Sequence, residues 1–400
     1  MSGPLAGVRV VDLTTMIAGP LATCILADQG AEVIKIEHPR GGDHSRQVAD
    51  RRGGFSASFL HNNRGKRSVT LDLKSPRGRE AVLRIAASAD VFVQNFRPGV
   101  VERLGLDEPA VRAVRPDIIY ASIAGFGFEG PMAKRPVYDP LIQALSGLAS
   151  VQGAGGRPRL VRTILPDKVT AIQASQAITA ALFARARSGE GQHLRLSMLD
   201  TITAFLWASD MSGLTFVGDE APAAEEAQSF VELIYQSADG YLAVSAHTDR
   251  TWAGLCRAVG RPDWEADPRF QNAALREINK PARLELTQSA LIEATTAEWL
   301  ERLTAEDVPC APVLTRAETL ASPQLAANGA LEEREHPQAG KIRQAAHPAK
   351  FEGTPLVPPK PAQRLGTDTR SVLAEAGYAS AEIDAMFADG LATDIQEAAE

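Results

Sequence analysis

Val8-Arg9-Val10-Val11-Asp12-Leu13 is a short run of branched aliphatics with no residue that breaks a strand. After a loop over 14–19, Pro20 suits the first turn of a helix, where its missing N–H costs nothing. That helix is expected to run to about Gln29, where Gly30 stops it, and Glu32-Val33-Ile34-Lys35-Ile36-Glu37 reads as a second strand. Strand, helix and strand within about thirty residues form a βαβ unit, which commits the sheet to parallel pairing.

The alternation continues outward. Strands are expected at 68–71, 90–94, 118–123 and 193–198, with a helix opened by Ser75-Pro76 and a short one at 108–114. This predicts an α/β fold with a Rossmann-type open sheet in a large domain. The connection over 39–66 is rich in Gly, Arg, Asn and Ser, and irregular connections of that length are functional or mobile. Composition shifts to Ala, Glu and Pro over 218–230, a linker signature. Beyond it, Ala238-Asp239-Gly240-Tyr241 between apolar runs signals a hairpin, and Trp252, Leu255, Cys256 and Val259 share a helical face. An amphipathic helix is expected over 284–303, and a last one at 381–388 capped by Ser380. The domains read as 1–217 with 329–400, and a smaller α+β domain at 231–328.

At 400 residues the chain exceeds what one core usually serves. With 44% hydrophobic and 23% charged residues it is an ordinary globular protein, and a net charge of -7 argues against nucleic acid as a partner. No apolar run reaches the ~18 residues of a membrane span, and Met1-Ser2-Gly3-Pro4 does not open a secretory signal. Three scattered cysteines, Cys24, Cys256 and Cys310, fit a reducing cytoplasm.

Leu165-Pro166-Asp167-Lys168-Val169-Thr170-Ala171 carries the most pointed acid. Pro166 keeps the preceding residue extended, and the alanine-rich run over 171–187 turns helical at or just after Asp167. Asp167 then serves as an N-cap, or as a carboxylate kept anionic by the helix dipole and aimed at a carbonyl as a nucleophile. Local sequence leaves both readings open.

Gly125-Phe126-Gly127-Phe128-Glu129-Gly130 matches GxGxxG after a strand. Pro131 and Pro136 bracket the helix it would need, however, and no acid-ended strand follows at about twenty residues. It reads as a glycine-rich loop at the carboxyl edge of the sheet. Arg64, Lys66, Arg67, Lys74, Arg97 and Arg103 lie in or beside loops after the early strands and could meet an anion such as a phosphate. The histidines show no HxxxH or HExxH spacing and the cysteines no paired spacing, so no metal is expected; Walker A and GxSxG patterns are absent.

Several stretches together resemble the class III coenzyme A-transferase family, which includes formyl-CoA and carnitine CoA-transferases and the related α-methylacyl-CoA racemases. They are 5–13, Ala18-Gly19-Pro20, 30–37, Asn63-Arg64-Gly65-Lys66-Arg67-Ser68 and Leu71-Asp72-Leu73-Lys74. Gln94-Asn95-Phe96-Arg97-Pro98-Gly99, 120–123, Gly125-Phe126-Gly127 and Tyr138-Asp139 complete the set, which spans nearly the whole chain in the family's order.

The resemblance implies that Asp167 is the covalent nucleophile in moving CoA from an acyl-CoA donor to a carboxylic acid, with CoA a substrate and no cofactor permanently bound. It implies that Ile17 and Ala18 line the acyl end and that Leu71 and Lys74 lie at the adenine. Asn95, Phe96, Arg97 and Arg103 would hold pantetheine and phosphates, and Tyr138 would sit near the thioester. His38 falls where some members carry an arginine against the nucleotide. Ile17 replaces a glutamine found in some transferases, which argues against a small polar acid such as oxalate. The family assembles as an interlocked homodimer, with no nucleic acid or membrane partner. A racemase is the alternative, but it needs a second acid or base where this chain has Tyr138, a poor base at neutral pH. A non-catalytic CoA-binding protein, with Asp167 only a cap, is the remaining reading. Ser245, His247 and Thr248 after the hairpin strand face an acyl pocket or form a solvated turn.

Overall fold

A computed structural model describes residues 3–48, 50–153, 157–218 and 233–394. The expected linker over 218–230 lies, Gly218 apart, outside the described residues. The chain divides into two compact units, Met1–Glu225 with Gly329–Glu400, and Glu226–Asn328.

The first unit is an α/β structure on a six-stranded sheet. In chain order it has β1 (Arg9–Asp12), α1 (Ala18–Asp28), β2 (Glu32–Glu37), β3 (Lys66–Thr70), α2 (Pro76–Ala86) and β4 (Val91–Gln94). There follow α3 (Glu108–Val114), β5 (Ile119–Ala124), α4 (Asp139–Leu145), α5 (Leu165–Ser188), β6 (His193–Ser197) and α6 (Met198–Trp207). The strand order is β3-β2-β1-β4-β5-β6, and every neighbouring pair is parallel. The order therefore reverses between β1 and β4, and the crevice beyond the carboxyl ends of those two strands is where open α/β sheets take ligands.

Both faces of the sheet are covered, which is why consecutive residues of β1, β2 and β4, such as Val10-Val11, Val33-Ile34 and Val91-Phe92-Val93, are apolar and buried. Val10 packs with Ala22, Leu26 and Ile178 beneath α1 and α5, while its neighbour Val11 packs with Val82, Ile85 and Leu373 on the other face. The C-terminal return clasps β3: the Ser68 N–H donates to the Asp368 carboxylate at 2.8 Å and the Thr70 N–H to the Thr369 hydroxyl at 3.0 Å.

Some boundaries differ from expectation. The helix placed from Pro20 starts two residues earlier, at Ala18, because its first free N–H is satisfied from outside the helix. The third strand begins at Lys66, carried inward by a buried charge. The 39–66 connection contains a 3-10 turn (His44–Gln47), a hairpin (Arg51–Arg52 with Phe55–Ser56) and a helix (Ala57–Asn62). The final helix is Ser380–Ala388, one residue early, with Glu382 rather than Ser380 receiving the free N–H of Ala379 at 2.8 Å.

The second unit has a three-stranded antiparallel sheet of Ile234–Gln236, Tyr241–Val244 and Cys310–Pro312. The hairpin turns at Ser237, whose hydroxyl accepts the Gly240 N–H at 3.0 Å. Trp252, Leu255 and Cys256 on the helix Asp249–Ala258 enter a core with Phe270, Leu291, Trp299 and Leu303. The single helix expected over 284–303 is two, Lys280–Leu291 and Thr296–Ala305. Thr295 and Glu298 cap each other's backbone at the second start. The apolar pattern runs through the break because both helices face one core.

Candidate active site

Asp167 is not an N-cap. Helix α5 begins at Leu165 after Ile164, whose side chain caps nothing, so Asp167 lies in the first turn. Its carboxylate leaves its own helix and accepts the N–H of Ala18, the first residue of α1, at 3.2 Å. Its own N–H donates to the carboxylate of Asp139 in the first turn of α4, at 3.1 Å. Asp139 is in turn held by the Gln143 side-chain amide at 2.6 Å, one helical turn on. Three helix N-termini thus converge on two acids.

The dipole was expected to keep Asp167 readily ionised, and the structure reverses this. Burial, then the nearby Asp139 charge, push its carboxyl up to about 6, and the Ala18 N–H offsets only part of that. A carboxylate poised near neutrality inside a cleft is the pattern of a reacting group.

The cleft has a volume of about 530 Å³. Of the residues singled out in the sequence, Asp167, Ile17, Ala18, Asn95, Phe96, Arg97 and Tyr138 line it together. It sits at the crevice between β1 and β4. Asn95, just past β4, bridges that crevice: it accepts the Thr15 N–H and donates to the Thr15 carbonyl, both at 2.9 Å. Gly125 and Phe126 of the glycine loop form another wall. A Cβ on Gly125 would come within 2.1 Å of Val137, so only glycine lets the Tyr138 segment approach.

His38, Leu71, Lys74 and Arg103 are not among the lining residues. The Leu71 side chain is buried in the core, which leaves only its backbone to a ligand, while His38, Lys74 and Arg103 are exposed. Three of the basic candidates are spent internally. Lys66 pairs with Asp12 at 3.0 Å in the core, Arg64 with Asp28 at 2.6 Å, and Arg67 with Glu375 at 2.7 Å. Burial alone would raise the Asp12 carboxyl; Lys66, Lys35 and the Thr14 and Thr23 hydroxyls overcome it and hold it at about 2. Thr248 is a helix cap bonded to Thr251. Among the described residues, no group of His, Cys, Asp or Glu is arranged to hold a metal ion, and no helix is long and apolar enough to cross a membrane.

Asp139 carried no assigned role in the sequence reading. Its signal was present: Asp139-Pro140 before Leu141, Ile142 and Leu145 is a helix start with an acid in its first turn.

Residues 5–369 match the model of CoA-transferase family III. The chain belongs to that family. It is 34% identical over 359 residues to the acetyl-CoA:oxalate CoA-transferase of Acetobacter aceti, covering 88% of this chain and 90% of that one. It is 35% identical over 392 residues to the succinate–glutarate CoA-transferase of Agrobacterium fabrum, covering 93% and 95%. A CaiB/BaiF family protein from Brucella suis superposes with a TM-score of 0.82 at 30% identity, over 94% of this chain and 100% of that one. As a class III CoA-transferase, the enzyme brings its glycine loop, Asn95 and Asp167 to one cleft at the strand-order reversal.

Proposed function

We propose that the enzyme moves CoA from an acyl-CoA donor to a carboxylic acid through covalent intermediates on Asp167. The observation that carries this reading is the Asp167 carboxylate in the cleft, bonded to the Ala18 N–H and raised toward neutrality.

Asp167 attacks the thioester carbonyl, giving an acyl-aspartyl anhydride and CoA thiolate. The thiolate attacks the aspartyl carbonyl, releasing the donor acid and leaving an aspartyl-CoA thioester. The acceptor carboxylate attacks the carbonyl of the aspartyl-CoA thioester, whose C–S bond breaks, giving a second mixed anhydride and freeing the thiolate again. Attack of the thiolate on the acceptor's acyl carbon yields the new acyl-CoA and restores Asp167. A carboxylate suits this exchange because its acyl derivatives are activated in both directions. The N-terminus of α1, with the Ala18 N–H foremost, supplies a donor for the negative charge on each tetrahedral oxygen. Ile17, Ala18, Asn95, Phe96, Arg97 and Tyr138 bind the acyl-pantetheine end, and His38, Lys74, Arg103 and the Leu71 backbone the nucleotide.

The strand order supports a Rossmann-type sheet. The interlocked homodimer is supported by apolar side chains left exposed on the large unit: Ile172, Phe183, Phe205 and Trp207 are each about half exposed or more. We place the enzyme in the cytoplasm, in keeping with three cysteines that form no disulfide.

The test is CoA exchange, using acetyl-CoA and succinyl-CoA as donors and a panel of mono- and dicarboxylates as acceptors, with Asp167→Ala alongside. Loss of exchange with CoA binding retained supports the reading. Retained exchange in Asp167→Ala rejects it.

A further inference from the structure

We propose that Asp43 and Lys35, a buried pair, are positioning residues that set the backbone of residues 14–18 so that the Ala18 N–H faces Asp167. This inference rests on the transferase reading of Asp167. Lys35 stands on β2 and Asp43 in the loop that follows it, 3.0 Å apart, with both side chains out of solvent. Neither lines the cleft.

Both hold the loop after β1 by its backbone. The Lys35 ammonium donates to the Thr14 carbonyl at 2.8 Å, and the Asp43 carboxylate accepts the Met16 N–H at 3.1 Å. Asp43 is itself fixed, accepting the Ser45 N–H at 2.9 Å and donating its own N–H to Glu37 at 2.9 Å. Between these anchors Met16 has a φ of 71°, the left-handed region that a residue with a Cβ adopts only under constraint. Two residues later comes Ala18. A Met16 in ordinary extended or helical backbone would turn the peptides of Ile17 and Ala18 away, and the N–H now 3.2 Å from Asp167 would lose its aim. Charge makes the clamp stiff, because neither member of a buried ion pair can leave its partner at low cost.

The test compares Asp43→Ala, Met16→Val and the double variant with the wild type. It measures kcat and KM for the acyl-CoA donor that the wild type uses, affinity for free CoA, and thermal unfolding. A β-branched side chain is the least tolerant of positive φ, so Met16→Val attacks the same backbone state without touching a charge. Each single variant is expected to lower kcat at least tenfold, with KM and CoA affinity within threefold. The double is expected to be no slower than the slower single, since both act on one conformation. Wild-type kcat in Met16→Val, multiplicative losses in the double, or CoA affinity falling in step with kcat would overturn the proposal. If Asp43→Ala unfolds, Met16→Val alone decides, by the same criteria. A wild type that exchanges CoA with no donor in a broad acyl-CoA panel overturns the transferase reading itself, a result that the variant-to-wild-type ratios cannot mimic.

Discussion

The backbone N–H of Asp167 donates to the carboxylate of Asp139 across 3.1 Å, so the proposed nucleophile is held at its main chain by a second acid. The same neighbour raises the Asp167 carboxyl by charge repulsion, second to burial. One residue therefore both positions Asp167 and tunes its ionisation.

The acid limb of turnover follows from that pair. The proposed nucleophile must be ionised to attack, so kcat/KM should fall as pH drops through about 6. Asp139→Asn keeps an oxygen for the Asp167 N–H and removes the repelling charge, so the limb should move to lower pH. A pH–rate profile of both enzymes checks the direction; a limb that stays in place contradicts the assignment.

Asp167→Asn should abolish turnover and stabilise the fold at pH 7 and above. A carboxyl raised from 3.8 to about 6 favours folding while protonated, and that stability is present below 3.8 and lost as pH rises through about 6. The wild type thus bears a penalty on the order of 3 kcal/mol at pH 7 that the amide escapes. Thermal melts at pH 4 and pH 7.5 should show the variant's advantage only at the higher pH. An N-cap role would instead predict a loss of stability in Asp167→Ala at both.

Gly19→Ala should damage the loop that supplies Ala18. A Cβ there would fall 2.3 Å from the Thr14 Cβ, and Thr14 is locked by Asp12 through its N–H at 2.8 Å. Overpacking of this kind costs about 1–3 kcal/mol. Calorimetry should show a lowered Tm together with reduced turnover.

The basic residues separate by burial. Lys66→Ala removes the ion-pair partner of the buried Asp12 carboxylate, leaving it to the Thr14 and Thr23 hydroxyls and the charge of Lys35, and should destabilise by about 3–5 kcal/mol. Lys74→Ala and Arg97→Ala are exposed changes and should leave Tm unmoved while raising KM for acyl-CoA severalfold. Equal behaviour of all three in denaturant and in kinetics would contradict the division.

The sheet was legible because its signal is local: Val10 and Val11 face opposite cores, and the glycine at 30 punctuates the first βαβ unit. The cleft was legible through the resemblance, which named Ile17, Ala18, Asn95, Phe96, Arg97 and Tyr138. What escaped depends on distant pairing. Nothing near Lys66 says that its ammonium turns inward to Asp12, 54 residues away, rather than out to a phosphate. Nothing near Asp167 says that its carboxylate meets Ala18, 149 residues earlier, and so does not cap its own helix. The break between Leu291 and Thr296 was hidden because two helices on one core share one apolar period.

The central claim is the covalent role of Asp167, and hydroxylamine trapping tests it most directly. The wild type is incubated with a panel of acyl-CoAs, quenched with hydroxylamine, digested and mapped by mass spectrometry. An activated aspartyl anhydride or thioester becomes a stable hydroxamate, and the account predicts that modification on Asp167, dependent on acyl-CoA. CoA exchange that proceeds with Asp167 unmodified under every donor would contradict it.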